Sequence, residues 1–225
     1  GYTGTYVSAT WDNEKFIAVG TSGAIHTSVD GTTWTAETRG SSDQHNDIIF
    51  NKWAVGERGV PEYVVVGSNG AILHSNNRVD WYPKTSGVST ELRAIAYNGT
   101  TYVVVGAAGV VLTSQNVTSW SQRTSGTSET LLDVIYNDDI NKFIAVGTAG
   151  VILESGDGTT WTPQESGTSQ DLYGITWSEG RTVISGNVGT LLISDDGGLT
   201  WETNLITTNA EADRYQDAAD LILKN

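Results

Sequence analysis

The chain of 225 residues contains no cysteine, no methionine and only three prolines. The absence of cysteine excludes disulfides, thiol catalysis and zinc or iron–sulfur sites built on thiolates. Positive charge is also scarce, because 12 lysines and arginines stand against 26 aspartates and glutamates and leave a net charge of −14. A surface of this sign repels phosphate backbones and anionic lipids, so we expect no nucleic-acid partner.

Long apolar runs are missing as well. The longest, Tyr102–Leu112, falls well short of the roughly 20 residues that a membrane-spanning helix needs, so we expect no membrane insertion. No positively charged leader precedes an apolar stretch, hence no signal peptide is visible. The initial glycine and the lack of methionine favour a chain that was processed or cut from a longer one.

A phrase that occurs five times dominates the sequence. Each copy has a β-branched stretch, two glycines, a second β-branched stretch and a closing tryptophan, as in the segment from Tyr102 to Trp120. A short run that ends in an aromatic residue precedes each copy, at Trp11, Phe50, Tyr97, Tyr136 and Trp177. The copies follow one another at a period of about 40 residues.

Residue types within each copy predict strands. Valine, isoleucine, tyrosine and tryptophan fill the runs, whereas glycine, asparagine, aspartate and serine separate them, which indicates four short strands joined by tight turns. The two glycines of each copy, such as Gly106 and Gly109, are expected in hairpin turns that need a positive φ. No helical pattern lies between the strands, so a parallel βαβ architecture is excluded.

A unit of four strands and about 40 residues is typical of a β-propeller blade, whereas the coils of an open β-solenoid usually take about 20–30 residues. Because one four-stranded sheet cannot bury both of its faces alone, we favour a closed ring in which the last blade touches the first. We therefore predict an all-β protein: a five-bladed propeller of four-stranded antiparallel blades over residues 1–206.

The C-terminal segment, residues 207–225, differs in kind. Thr208 or Asn209 is suited to cap a helix whose first turn carries Glu211 and Asp213. The predicted apolar stripe of this helix consists of Ala212, Tyr215, Ala219 and Ile222. We predict a short C-terminal α-helix that either packs on the ring or starts a linker to a neighbouring domain or oligomer. The lack of a glycine or proline terminator favours the linker.

The turn before each closing tryptophan carries a serine and, two residues later, an aspartate or asparagine. Such a side chain can accept hydrogen bonds from the backbone of its own turn, and the tryptophan can cover the turn and pack on the next sheet. Since every copy needs the same turn, we assign these residues a structural role in preference to metal binding or catalysis. They are Ser28, Asp30, Trp34, Ser75, Asn77, Trp81, Ser114, Asn116, Trp120, Ser155, Asp157, Trp161, Ser194, Asp196 and Trp201.

The segment from Ser194 to Trp201 fits the pattern S-x-D-x-G-x-T-W, the Asp-box. Together with the runs that follow the tryptophans, such as WSQRTSGTSETL from Trp120, it makes residues 5–206 resemble the repeats of Asp-box (BNR-like) β-propellers. The pattern is most similar to the photosystem II stability and assembly factor family and to related bacterial and phage surface proteins. The resemblance implies a propeller, but such propellers serve as scaffolds, glycan binders and glycosidases alike.

Catalysis has little support in the sequence. The resemblance to sialidases implies an arginine cluster and an R-I-P entry motif, and the sequence shows neither. Sialidase propellers also usually have six blades, one more than the five copies in this chain. The histidines lack metal-ligand spacing and no glycine-rich phosphate loop precedes a helix, so we expect no catalytic residues, metal or cofactor. Asp47 and Asp133, which break the repeat in the first strand, are the candidates if the chain is a glycoside hydrolase of sialidase-like fold.

Binding in a repeat protein tends to lie where the copies differ. One position in the first strand varies more than its surroundings, and it holds Val7, Asn46, Arg93, Leu132 and Tyr173. We take Asn46, Arg93 and Tyr173, with His45 from the linker into the second copy, as candidate ligand-binding residues.

These observations favour a non-catalytic recognition module, extracellular or on a cell or virion surface, that binds a glycan or a protein through one rim. The alternative is a structural or assembly scaffold that docks on a partner complex, as the resemblance implies for the photosystem assembly factors.

Overall fold

The computed structural model describes residues 3–37, 40–51 and 62–205. In this part of the chain there are five antiparallel sheets, each of four strands that follow one another in chain order. The first strands of successive sheets lie side by side and are therefore the inner strands. This arrangement confirms the predicted all-β propeller of five four-stranded blades. The predicted C-terminal helix, residues 207–225, lies outside the described residues.

All five blades share one strand order. Blade 1 contains β1 (Tyr6–Trp11), β2 (Phe16–Gly20), β3 (Ile25–Ser28) and β4 (Thr35–Ala36). Blade 2 contains β5 (His45–Asn51), β6 (Glu62–Gly67), β7 (Ile72–Ser75) and β8 (Tyr82–Lys84). Blade 3 contains β9 (Leu92–Tyr97), β10 (Tyr102–Gly106), β11 (Val111–Ser114) and β12 (Ser121–Arg123). Blade 4 contains β13 (Leu131–Asn137), β14 (Lys142–Gly147), β15 (Ile152–Ser155) and β16 (Thr162–Gln164). Blade 5 contains β17 (Leu172–Ser178), β18 (Arg181–Gly186), β19 (Thr190–Ser194) and β20 (Glu202–Leu205).

A short 3₁₀ turn joins the second and third strands of each blade. One glycine precedes the turn and another ends it, and the two are required for different reasons. In the turn Ala107–Gly109, Gly109 has φ +67, as predicted for a residue in a tight turn. The preceding Gly106 has φ −173, an extended value that any residue adopts, so the predicted positive φ is wrong there. Gly106 is needed for another reason, because a Cβ on it would lie 2.2 Å from the carbonyl oxygen of Glu91.

Blades 2, 3 and 4 each pack two different faces on their two neighbours, because side chains alternate between the two sides of a strand. The aromatic face of blade 4, which meets blade 3, consists of Leu131, Tyr136, Phe143, Leu153 and Trp161. Its aliphatic face, which meets blade 5, consists of Ile135, Ile144, Val146 and Ile152. Hydrophobic clusters of this kind join blade 1 to 2, 2 to 3, 3 to 4 and 4 to 5. The core is therefore a series of interfaces between blades.

The expected contact between the last blade and the first is wrong for the described residues, since none of their hydrophobic clusters joins blade 5 to blade 1. Phe16 of blade 1 is 38 % exposed, whereas the equivalent Phe143 of blade 4 is fully buried. The outward face of blade 5 differs from those of the other blades at Ser185, which is exposed where the four earlier blades have a valine. A hydroxyl at this position gives less apolar area to bury against an aromatic face.

Candidate functional site

A β-bulge lies at the same place in the first strand of every blade, between the first and second residue pairs counted from the 3₁₀ turn. The extra residues are Val7, Asn46, Arg93, Leu132 and Tyr173. These are the positions whose side chains vary among the copies. Since a bulge redirects a side chain out of the ladder, the variation falls where it does not disturb strand pairing.

The bulges, the 3₁₀ turns and the linkers that enter the blades share one end of the strands, which we call the turn rim. The backbone of this rim repeats closely. The first residue of each turn donates its N–H to the linker of the same blade, as in Ala107 to Glu91 O at 2.9 Å and Ser68 to Gln44 O at 2.9 Å. The turn rim is thus a fixed frame that carries five variable side chains.

Two of the predicted binding residues meet on this rim. The Asn46 side-chain amide donates to Glu91 Oε1 at 3.0 Å and to the Leu92 carbonyl oxygen at 2.7 Å. The Arg93 guanidinium lies 2.9 Å from the other oxygen of Glu91, and the Gln44 amide donates to Asn46 Oδ1 at 2.7 Å. Glu91 therefore joins residues of blades 2 and 3. Sequence reasoning missed Glu91 and Gln44, because nothing in the chain marks a contact across blades.

The other predicted binding residues behave differently. Tyr173, on blade 5, is 53 % exposed. His45 is fully buried between blades 1 and 2, where its Nδ1 lies 3.3 Å from the Ala24 carbonyl oxygen. Burial lowers the pKa of His45, because the charged ring loses hydration. A buried ring of this kind is not accessible to a ligand from solvent.

The two candidate carboxylates of the hydrolase hypothesis connect neighbouring inner strands. Asp47 Oδ2 accepts from the Ile95 N–H at 3.0 Å, and Asp133 Oδ2 accepts from the Ile175 N–H at 2.9 Å. The remaining oxygen of each accepts from the next N–H of its own strand. Burial raises the pKa of Asp47, and it raises the pKa of Asp133 to about 6. Both carboxylates have the contacts of structural links between blades.

The raised pKa of Asp133 predicts a pH-dependent stability. The neutral form is favoured in the folded protein, so this stabilisation is fully present below about pH 3.8 and is lost as the pH rises through about 6. Asp133→Asn cannot ionise, although its NH₂ opposes one backbone N–H and adds a pH-independent loss. We expect the unfolding free energy of the variant, relative to the wild type, to rise by about 1–2 kcal/mol between pH 4 and pH 8.

Urea unfolding of both proteins at five pH values between 4 and 8 measures this difference. Asp171→Asn is the control for the exchange of a carboxylate for an amide, since Asp171 is a half-buried linker residue whose Oδ1 accepts from the Ala149 N–H at 3.0 Å. A difference between Asp133→Asn and the wild type that does not change with pH would mean that Asp133 ionises in the folded protein as easily as in the unfolded chain.

The residues before each closing tryptophan bind their own turn. Asp157 Oδ1 accepts from the N–H groups of Thr159 and Thr160 at 2.7 and 2.9 Å, and Trp161 Nε1 donates to the Gly158 carbonyl oxygen at 3.0 Å. The Thr159 hydroxyl, together with these N–H groups, holds the pKa of Asp157 well below its usual range. In blade 3, Asn116 accepts from Thr118 and Ser119 in the same way. These side chains have little capacity left for a ligand.

A groove of about 370 Å³ lies on the turn rim of blade 4. The linkers into blades 4 and 5 border it with Ser125, Thr127 and Thr168, and the edge of Trp161 forms part of its floor. No group of three or more acidic or histidine side chains in the described ranges could hold a metal ion. Within the same ranges, no helix has the length and apolar character that crossing a membrane requires.

Comparison with known proteins places the fold in context. The sequence model of the DUF6242 beta propeller domain matches residues 76–214. The structure of YCF48 bound to a D1 peptide is 18 % identical with a TM-score of 0.66, over 90 % of this chain and 67 % of that chain. The WD40 propeller domain of Doa1 is 13 % identical with a TM-score of 0.68, over 90 % of this chain and 69 % of its own.

The computationally designed protein Ika8 is also similar, with 13 % identity and a TM-score of 0.70, over 91 % of this chain and 63 % of that one. The chain thus spans about two thirds of the length of these propellers. At identities this low the similarity shows the fold alone. No curated protein matches the sequence.

Proposed function

The chain belongs to the family of the DUF6242 β-propeller domain, and we propose that it is a non-catalytic module that binds a protein segment on its turn rim. The observation that carries the proposal is the arrangement of the rim: five variable bulge side chains are held on a backbone frame that repeats from blade to blade. A fixed frame with variable positions is what recognition needs.

The kind of ligand is inferred from a neighbour and from charge. YCF48, which shares the propeller fold, has been solved with a D1 peptide, and this supports a protein segment as the ligand. Four linkers place Asp43, Glu91, Glu129 and Asp171 on the rim, and the only cation among its bulge residues, Arg93, is paired with Glu91. With a net charge of −14 on the whole chain, the rim favours a segment that carries lysine or arginine.

Tyr173 is the side chain on which we expect binding to depend most. It is the one aromatic residue among the five bulge positions and is 53 % exposed, and a tyrosine ring offers a large apolar contact together with a hydroxyl group. Binding of a protein segment is also what an assembly scaffold would do, so the recognition and scaffold hypotheses lead to the same surface. A glycan ligand and a cell-surface or virion location stay predictions from the sequence.

Selection of peptides from a random display library on the immobilised chain tests the proposal. We expect selected peptides to be rich in lysine and arginine, and to bind at least about tenfold more weakly to Tyr173→Ala than to the wild type. Tyr82→Ala is the matched control, since Tyr82 is 55 % exposed but lies on the outermost strand of blade 2, away from the rim. Its affinity should equal that of the wild type.

A parallel glycan array separates the ligand classes. Enrichment of glycans without any peptide, or peptides that bind Tyr173→Ala as tightly as the wild type, would contradict binding of a protein segment on this rim. Weaker peptide binding at higher salt is expected from the acidic linkers, and an increase would contradict the charge argument.

A further inference from the structure

The four interfaces inside the chain follow one rule. Blades 2, 3, 4 and 5 each present an aromatic face to the blade that precedes them, and the aliphatic face of that preceding blade covers it. Phe143, on blade 4, is fully buried against Val103 and Val105 of blade 3. At all four interfaces the aromatic face belongs to the later blade and the aliphatic face to the blade that precedes it in the sequence.

Blade 1 carries the same aromatic face with no described blade against it. Its members are Tyr6, Trp11, Phe16, His26 and Trp34, at the positions of Leu131, Tyr136, Phe143, Leu153 and Trp161 in blade 4. Trp34 is 37 % exposed and Trp161 only 8 %. The exposed rings contact one another, with centroid distances of 4.5 Å for Trp11 and Phe16 and 6.1 Å for Tyr6 and Trp34. Folding thus leaves a continuous aromatic surface, of a kind that usually marks an interface.

In blades 1, 4 and 5 a glycine lies in the turn before the tryptophan, and its surroundings show how closely a preceding blade approaches. A Cβ on Gly158 of blade 4 would lie 2.7 Å from Val103 of blade 3, and one on Gly197 of blade 5 would lie 2.6 Å from Ile140 of blade 4. In these two turns the side chains of the preceding blade approach so closely that there is no room for a Cβ. Gly31 of blade 1 keeps the same turn and positive φ, yet a Cβ on it would meet only Phe16 of its own blade.

We propose that the aromatic face of blade 1 is a docking surface for the aliphatic face of one further blade of the same repeat, joined ahead of blade 1 as each blade is joined ahead of the next. The lengths of the similar solved propellers are consistent with additional blades. At about 40 residues per blade, the third of those chains that this chain does not cover corresponds to about two or three blades.

A second copy of the chain is a poorer occupant for two reasons. Its outward blade 5 would bring the exposed Ser185 against the aromatic face, where the four interfaces inside the chain have a valine. It would also bring five blades to a ring that, judged by the solved propellers, accommodates about two or three more.

The absence of cysteine from the chain allows a direct test. Phe16→Cys places a thiol on the aromatic face, and Phe143→Cys places one at the equivalent buried position. In the 225-residue chain we expect a thiol reagent to label Phe16→Cys at least about tenfold faster than Phe143→Cys, because only the latter must wait for local opening. If Phe143→Cys does not fold, Val146→Cys, also at a fully buried position, serves as the reference.

Extension by two blades is the decisive step. A copy of residues 86–166, which contains blades 3 and 4, placed directly before residue 1 keeps the seven-residue linker found between blades 4 and 5. We expect labelling of Phe16→Cys to slow at least about tenfold in the extended chain. The matched control is the same extension with polar residues at the copied positions of Ile144 and Val146, and it should leave the labelling fast.

Two results would overturn the proposal. One is a Phe16→Cys thiol that stays as reactive in the extended chain as in the original. The other is a thiol in the original chain whose labelling slows as protein concentration rises, together with a dimer mass by light scattering, which would assign the face to a second copy.

Discussion

Replacing Gly106 by alanine is expected to lower the free energy of unfolding by about 3 kcal/mol or more, which is at the upper end for overpacking. A Cβ at this position would lie 2.2 Å from the Glu91 carbonyl oxygen and 3.0 Å from the Leu92 Cα. Both are backbone atoms, so no side-chain rotation relieves the clash. The linker must move instead, and with it the hydrogen bond from the Ala107 N–H to Glu91 O.

Gly126→Ala is the matched control for this experiment. Gly126 has φ +82, a conformation that alanine adopts at a cost, but nothing lies within 4 Å of its Cβ position. The expected loss is therefore only about 1 kcal/mol. Urea unfolding of both variants against the wild type gives the comparison. If Gly106→Ala loses no more than Gly126→Ala, the close approach of linker and turn does not constrain the folded protein.

The number of blades and the strand order follow from the sequence because both depend on local spacing. A β-branched run, a glycine-bounded turn and a closing tryptophan recur at a nearly constant period, and each strand pairs with the next in the chain. The prediction of a positive φ for both glycines of each turn is confirmed for the second glycine and wrong for the first. A positive φ has a local signal in the turn at Gly109, whereas the constraint on Gly106 comes from a linker that arrives from the previous blade.

Ring closure needed information that counting repeats does not supply. Five copies and a need to bury sheet faces predict a ring, but closure depends on whether the two terminal faces fit. The signal was present in the chain: Ser185 stands where all four earlier copies have a valine. Comparing the copies face by face, rather than counting them, would have found it.

The candidate site shows the same division between local and long-range information. The varying first-strand position is visible by aligning the copies, and the structure places it at a bulge. Its neighbour His45 faces the opposite side and is buried. The Asn46–Glu91 contact spans 45 residues and two blades, so spacing within one copy contains no trace of it.

The exposed aromatic face of blade 1 predicts unequal effects for one substitution made at two equivalent positions. Phe143→Ala is expected to lower the free energy of unfolding by about 3–5 kcal/mol, because it removes a fully buried ring between blades 3 and 4 and leaves a cavity. Phe16→Ala is expected to lose only about 1 kcal/mol, since Phe16 is 38 % exposed and packs mainly on Trp11 of its own blade.

Urea denaturation of the two variants, analysed with the slope of the wild type, measures the contrast, and each variant serves as the reference for the other. Phe16 pairs with Trp11 and Phe143 with Tyr136 across the first two strands of their blades, and each ring contacts its partner at a tilt, with centroid distances of 4.5 and 5.0 Å. The contributions of strand pairing and of the local ring contact to the loss in unfolding free energy are therefore similar for the two variants. The difference between the two losses reports the contact with a preceding blade. Equal losses would mean that something covers the face of blade 1 in solution, whereas a loss several times larger at Phe143 shows that the interface between blades, more than the blade itself, stabilises this fold.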